Sequence, residues 1–187
     1  MSRPIKLVGV SGSLRKKSVN TGMLRAAQQS LPEGVSLDIV DLHDIPFYNA
    51  DFPERTPAVK RVLDQMAQAD GFVFACPEYN FSIAPALKNI LDWASREPGN
   101  AFLAGKSAAI MGAAGGMGSS RSQYHLRKVC VCLDLHLVNK PEVFGNAFNN
   151  SFDADGNLVD AALHQLIKDQ MLALTNLVRC FKGNCCQ

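Results

Sequence analysis

The run Gly9-Val10-Ser11-Gly12-Ser13-Leu14-Arg15-Lys16-Lys17-Ser18-Val19-Asn20 carries more hydrogen-bonding groups than a plain connection needs. It follows an apolar segment and opens a helix-patterned one, so amides of the turn and of the helix's first turn can point at phosphate oxygens. Ser11, Ser13, Ser18 and Asn20 supply neutral donors, and Arg15 adds a charge-assisted contact. This chemistry suits a terminal monophosphate. A nucleoside triphosphate loop would end in Gly-Lys-Ser/Thr, whereas Lys16-Lys17 has no glycine before it. A dinucleotide fingerprint needs three spaced glycines, and only Gly9 and Gly12 precede the hydroxyls and the arginine. The plainer alternative is a polar surface turn in which Ser18 or Asn20 is a simple helix cap.

Pro77-Glu78-Tyr79-Asn80-Phe81-Ser82 places aromatics and an amide directly after an apolar run. Such a segment can lie beside a flat ring, with the amides from Glu78 to Phe81 meeting the ring's polar edge. Alternatively, Tyr79 and Phe81 only close the end of the core, and Glu78 is a cap or a salt-bridge partner. Gly112-Ala113-Ala114-Gly115-Gly116-Met117-Gly118-Ser119-Ser120 is the third unusual loop. Its glycines let main-chain N–H groups approach a planar heterocycle closely. His125 and His136 have no Ser or Cys in a nucleophile turn beside them and read as polar packing residues. Trp93 reads equally as a core residue or as a contact to a bound ring, and in a dimer it could border the neighbouring active site. Asp153-Ala154-Asp155-Gly156-Asn157 has the flavour of a calcium loop but lacks that loop's remaining ligand positions.

The elements that must hold these loops are legible from hydrophobic period. Strands are expected at residues 5–10, 35–40, 71–76, 106–111 and 135–139, the second of them near a sheet edge. Helices are expected at about 21–30, from Thr56-Pro57, from Ser82 as a cap, at about 119–133, and at about 160–179. The last helix repeats Leu163, Leu166, Ile167, Met171, Leu174 and Val178 on its buried stripe. Alternating strands and helices imply right-handed crossovers around one parallel sheet. Ligands then sit beyond the carboxyl ends of the strands, and every unusual loop follows a strand.

The 187 residues, 47% of them apolar, can bury one core. One domain is expected over residues 1–181, with a short polar tail over 182–187. The formal net charge of +2 gives no argument for nucleic acid or an anionic membrane. The short apolar run after Met1 is too brief for a signal peptide, so a cytoplasmic protein without firm membrane association is expected. Cys76 and Cys130 lie in apolar patterns as core fillers, and Cys185-Cys186 end the tail; neither a disulfide framework nor a metal site is expected.

Taken together, the chain resembles the NADPH-dependent FMN reductase family and, within it, the soluble quinone and chromate reductases. The resemblance runs from about Lys6 to Phe181. It is carried by Gly12-Ser13-Leu14-Arg15, Pro77-Glu78-Tyr79-Asn80, Leu87-Lys88-Asn89-Ile90-Leu91-Asp92-Trp93 with Ser95-Arg96, and Gln123-Tyr124-His125-Leu126-Arg127. It implies a flavodoxin-like three-layer α/β/α sandwich with a five-stranded parallel sheet in the order 2-1-3-4-5. It also implies noncovalent FMN, with phosphate contacts from Ser11, Ser13, Arg15, Ser18 and Asn20. Ring contacts would come from Pro77, Glu78, Tyr79, Asn80 and Phe81, and further ones from Ala114, Gly115, Gly116, Met117 and Gly118. NADPH or NADH would reduce the flavin and a quinone-like acceptor would reoxidise it by a ping-pong hydride mechanism, with Tyr79, Asn80, Phe81 and Met117 lining the acceptor space. No protein group is expected to be catalytic in its own right, because the flavin carries the chemistry. Relatives form homodimers or homotetramers, in which positions matching Arg121, Tyr124 and Glu142 lie between dimers. The rival reading is an FMN-binding electron carrier or a flavin-dependent interaction module with little nicotinamide turnover.

Overall fold

In the computed structural model, which describes residues 3–51 and 54–183, one mostly parallel sheet divides the apolar side chains into two cores. Strand β1 (Ile5–Ser11) lies between β2 (Val35–Val40) and β3 (Gly71–Ala75), and β3 pairs in turn with β6 (Ser107–Ala114). All of these pairs are parallel, so Ser11, Ala75 and Ala114 end at the same edge of the sheet. Period 2 sorts the side chains: Phe72 and Phe74 face one core while Val73 and Ala75 face the other. Helices α2 (Pro57–Gln68), α3 (Pro85–Ala94) and α4 (Ser120–Cys132) cover the first core; α1 (Val19–Gln29) and α5 (Ala161–Phe181) cover the second. This is the expected three-layer sandwich. Of the described helices, none is long and apolar enough to cross a membrane.

The differences from the sequence expectation are local. The fifth position of the sheet holds two short strands, β7 (His136–Leu137) and β8 (Val143–Asn146), each parallel to β6. The order 2-1-3-4-5 therefore survives with its last member split, giving six strands where five were expected. Pro141 lies in the gap and has no N–H to give to a ladder. Ser82 does not cap a helix. It belongs to β5 (Ser82–Ile83), which pairs antiparallel with β4 (Glu78–Tyr79), and α3 begins later, behind Ala84. Leu166 leaves the predicted stripe of α5 and is 40% exposed, whereas Leu163, Ile167, Met171, Leu174 and Val178 are buried. Cys76 and Cys130 fill the core, where burial raises their thiols to about 11 and about 12. Trp93 is also core, its Nε1 donating to the Pro46 carbonyl at 2.9 Å. His136 stacks on Phe181 with ring centroids 3.9 Å apart, and His125 Nδ1 lies 3.1 Å from Ser82 Oγ. Cys185 and Cys186 lie outside the described residues.

Candidate active site at the carboxyl edge of the sheet

Three strand-end loops meet around one open cavity of about 160 Å³. Ser13, Arg15, Ser18, Val19 and Asn20 line it from the loop after β1, Pro77, Glu78 and Tyr79 from the turn after β3, and Ala114 and Gly115 from the loop after β6. Within each loop the side chains have distinct duties. Ser18 Oγ accepts from the Thr21 amide at 3.3 Å and so caps α1. Asn20 is buried and ties the start of α1 to the end of β6: its Nδ2 donates to the Ala113 carbonyl at 3.0 Å, and its Oδ1 accepts from the Ala113 amide at 2.9 Å. These two side chains build the loop, and the helix-terminal amides, which have no intrahelical acceptor, are left as its donors. Arg15 is exposed and stands at the cavity with its charge available. Ser11 lies to the other side, in an adjoining cavity of about 220 Å³ that shares Ser13 and Arg15 with the first. There its Oγ accepts from Thr21 Oγ1 at 3.0 Å.

The turn after β3 is a tight hairpin. Tyr79 pairs with Ser82, leaving Asn80 and Phe81 as a two-residue tip with φ of 48° and 66°. Both central residues at positive φ make this a primed turn, which matches the twist of the flanking strands. Asparagine tolerates that region; for phenylalanine it is strained. Phe81 is 62% exposed and Arg121 places its guanidinium 3.7 Å from the ring centroid, a cation–π contact. The same Arg121 pairs with Glu78, Nε donating to Oε1 at 2.7 Å, while Glu78 Oε2 accepts from the Ser122 amide at 3.3 Å. Glu78 is thus the salt-bridge partner and cap that the plainer reading envisaged, and its carboxylate faces α4. It serves there because Ser119 has φ of 66° and makes no side-chain cap bond.

The loop after β6 shows why it needs glycine. A Cβ on Gly112 would overlap the Cys76 carbonyl oxygen outright, so this glycine lets β6 close on β3 beside the site. Gly118 has φ of 59° and backs onto Phe144. Gly115 and Gly116 have no such neighbours pressing on them, and Met117 is 59% exposed. Asn80, Phe81, Gly116, Met117 and Gly118 do not line the small cavity; Phe81 and Met117 are exposed side chains on loops beside it.

Residues that the sequence reading left out also line the site: Val19, Ala113, Ala147 and Phe148, the last 85% exposed. Ala147 and Phe148 follow β8, and the signal that could have found them is the one used for the other loops, a strand end on the same edge. A roomier groove of about 400 Å³ between α3 and α4 is lined by Lys88, Asp92, Arg96 and Lys128 among others. It gathers none of the strand-end loops, so size does not make it the better candidate.

The pieces fit a mononucleotide flavin. A helix start and Arg15 suit a phosphate dianion, an open glycine segment admits a heterocycle's edge, and exposed Tyr79 and Phe148 offer flat apolar surface. The cavity is smaller than a whole ligand of this kind, so the exposed residues at its rim would complete the site.

Comparison with known proteins agrees with this geometry. The chain is 48% identical over 189 residues to an NAD(P)H-dependent FMN reductase of Pseudomonas aeruginosa, covering 98% of this chain and all of that one. It is 49% identical over 187 residues to a probable NADPH:quinone oxidoreductase of Oryza sativa subsp. japonica, with 92% of each chain covered. Among solved structures it superposes on the flavoenzyme NAD(P)H:(acceptor) oxidoreductase FerB of Paracoccus denitrificans with a TM-score of 0.84 and 25% identity, over 95% of this chain and 98% of that one. A family model matches residues 5–150, which hold the phosphate-type loop, the aromatic hairpin and the glycine loop, and with this match the chain belongs to the NADPH-dependent FMN reductase family.

Proposed function

We propose that this protein is an FMN-dependent oxidoreductase that takes electrons from NADPH or NADH and passes them to quinones or other small acceptors. The observation that carries the reading is the convergence of three strand-end loops on one cavity edged by exposed Tyr79 and Phe148. Bound FMN would supply the two-electron chemistry, taking hydride from the nicotinamide and giving electrons to the acceptor in alternation. The protein's part is to hold and orient. The amides at the start of α1, with Arg15 and Ser13, grip the phosphate; Pro77, Glu78 and Tyr79 border the ring; Ala114 and Gly115 bring main-chain groups to its other edge. Phe81, Asn80 and Met117 shape the space into which donor and acceptor enter by turns. The exposed aromatic rim offers a planar acceptor a surface on which to stack.

The protein is read as cytoplasmic, where its nicotinamide donor is held, and as a homodimer or homotetramer. Exposed Tyr124 and Val131 on the outer side of α4 support an assembly face.

Visible spectra of the purified protein test the redox reading. A yellow protein is expected, bleached by anaerobic NADPH or NADH and restored by a benzoquinone. A protein that neither carries nor takes up FMN sinks the reading; a flavoprotein that neither nicotinamide reduces is a carrier.

A further inference from the structure

The loop after β8 meets the phosphate-type loop from outside, and its tip is a built turn. Phe152 and Leu158 bridge its two arms. The Asp153 carboxylate accepts from the amides of Asp155 at 2.9 Å and Asn157 at 2.8 Å, and from Asn157 Nδ2 at 3.1 Å. That carboxylate is filled by N–H donors, so the run resembling a cation loop closes on itself. Its base is fixed to the start of α5, where Ser151 Oγ donates to Asp160 Oδ2 at 2.8 Å.

Four contacts lock this turn to the residues that begin α1. Lys17 Nζ lies 2.8 Å from Asp155 Oδ1, and Arg25 Nε donates to Asn157 Oδ1 at 3.0 Å. Gly156, with φ of 77°, packs so closely that a Cβ would stand 2.7 Å from the Lys17 carbonyl oxygen. Gly22 sits inside α1, where glycine is unfavourable against alanine, yet a Cβ there would overlap the Gly156 carbonyl oxygen outright. The exposed ion pair and hydrogen bond are weak holders by themselves. The interlocked glycines are not, because backbone cannot give way as a side chain can.

We propose that the turn at 153–157 is a positioning device for the phosphate grip. It fixes the backbone of Lys17 and Ser18 against α1, so that the Val19 and Asn20 amides stay converged on one phosphate. Gly22 and Gly156 are its positioning residues. The proposal rests on the reading that this loop holds the phosphate of FMN, and it adds that selectivity for phosphorylated over unphosphorylated flavin depends on a loop nearly 140 residues further along the chain.

Fluorescence titration of flavin-stripped full-length protein with FMN and with riboflavin tests it. Gly22→Ala is expected to weaken FMN about tenfold and to change riboflavin less than about twofold, so that the preference for FMN collapses. Asp155→Ala, an exposed change that leaves the core intact, is expected to lower the same preference about threefold. Should Gly22→Ala fail to fold, the Asp155→Ala ratio decides by the same criterion. Equal losses for both flavins, or no loss for either, overturn the proposal and leave the redox reading standing. A wild-type protein that binds riboflavin as well as FMN also overturns it alone; one that binds neither flavin overturns the redox reading with it.

Discussion

Single residues at this site divide into those that line the cavity and those that fix the ones that do. The phosphate-type loop has a holder on its β2 side as well. His43 Nδ1 lies 2.6 Å from Asp41 Oδ1, and His43 Nε2 lies 2.8 Å from the Leu14 carbonyl oxygen. Both neighbours are acceptors, and a neutral imidazole has one N–H, so only the imidazolium satisfies both. The Asp41 hydrogen bond, then the Leu14 carbonyl, hold His43 above its ordinary 6.5, and His43 holds Asp41 below 3.8. The His43 contribution is therefore full below about pH 6.5 and is lost as pH rises through the raised folded-state value; the Asp41 contribution is present above 3.8 and is lost as pH falls through its depressed one. The tie is exposed and worth about 0.2–1 kcal/mol. Melting temperature is expected to decline as pH is raised from below 6.5, and His43→Ala is expected to flatten that decline; a variant with the wild-type profile would show that His43 is not the titrating group. That Ser13 and Arg15 stand at the cavity was legible from residue type and position. The engagement of Asn20 with Ala113 was not, because a partner 93 residues away leaves no local pattern.

Among the elements, the β4–β5 hairpin shows how a site borrows stability from its surroundings. Its tip holds Phe81 in a conformation that costs a non-glycine residue about 1–2 kcal/mol. The offset comes from α4: Arg121 lies over the Phe81 ring and pairs with Glu78, and Glu78 in turn caps the helix at Ser122. Glu78→Ala is expected to destabilise the fold by about 2 kcal/mol, through the lost cap and the released Arg121. Urea unfolding measures that loss, and steady-state kinetics should show a raised acceptor KM with a smaller effect on FMN affinity. A cost confined to KM, with unchanged unfolding, would mean that Glu78 does not support the helix. The sequence misassigned this hairpin because two-residue strands carry no measurable period, and Ser82 has the residue type of a cap.

At the scale of the whole molecule, the parallel order of β1, β3, β6 and β8 gathers four loops to one edge and leaves the site open on its outer side. Of the residues expected between dimers, Arg121 and Tyr124 lie on α4 and Glu142 lies just before β8. Within the chain, Arg121 is engaged by Glu78, and Glu142 accepts from Lys140 Nζ at 2.8 Å and from Tyr124 OH at 3.2 Å. A pair between Arg121 and Glu142 of another subunit has to share these groups. Glu142→Ala is the cleaner probe, since Glu142 does not hold the hairpin. On the proposed tetrameric reading, light scattering is expected to show a shift towards dimer at micromolar concentration, and an unchanged mass would remove Glu142 from the contact.

What this sequence determined by itself was the layered architecture, the buried faces of most elements and three of the four loops. Those follow from short-range rules: the period of apolar residues, the glycine and proline breaks, and the geometry that puts every loop after a parallel strand on one edge. The tertiary structure alone decided which residues serve as struts, since Asn20, Glu78, Gly22 and Gly156 take their meaning from partners distant in sequence. A hydrogen bond or a backbone contact acts over a few ångströms of space, and only the folded chain brings those groups within that reach.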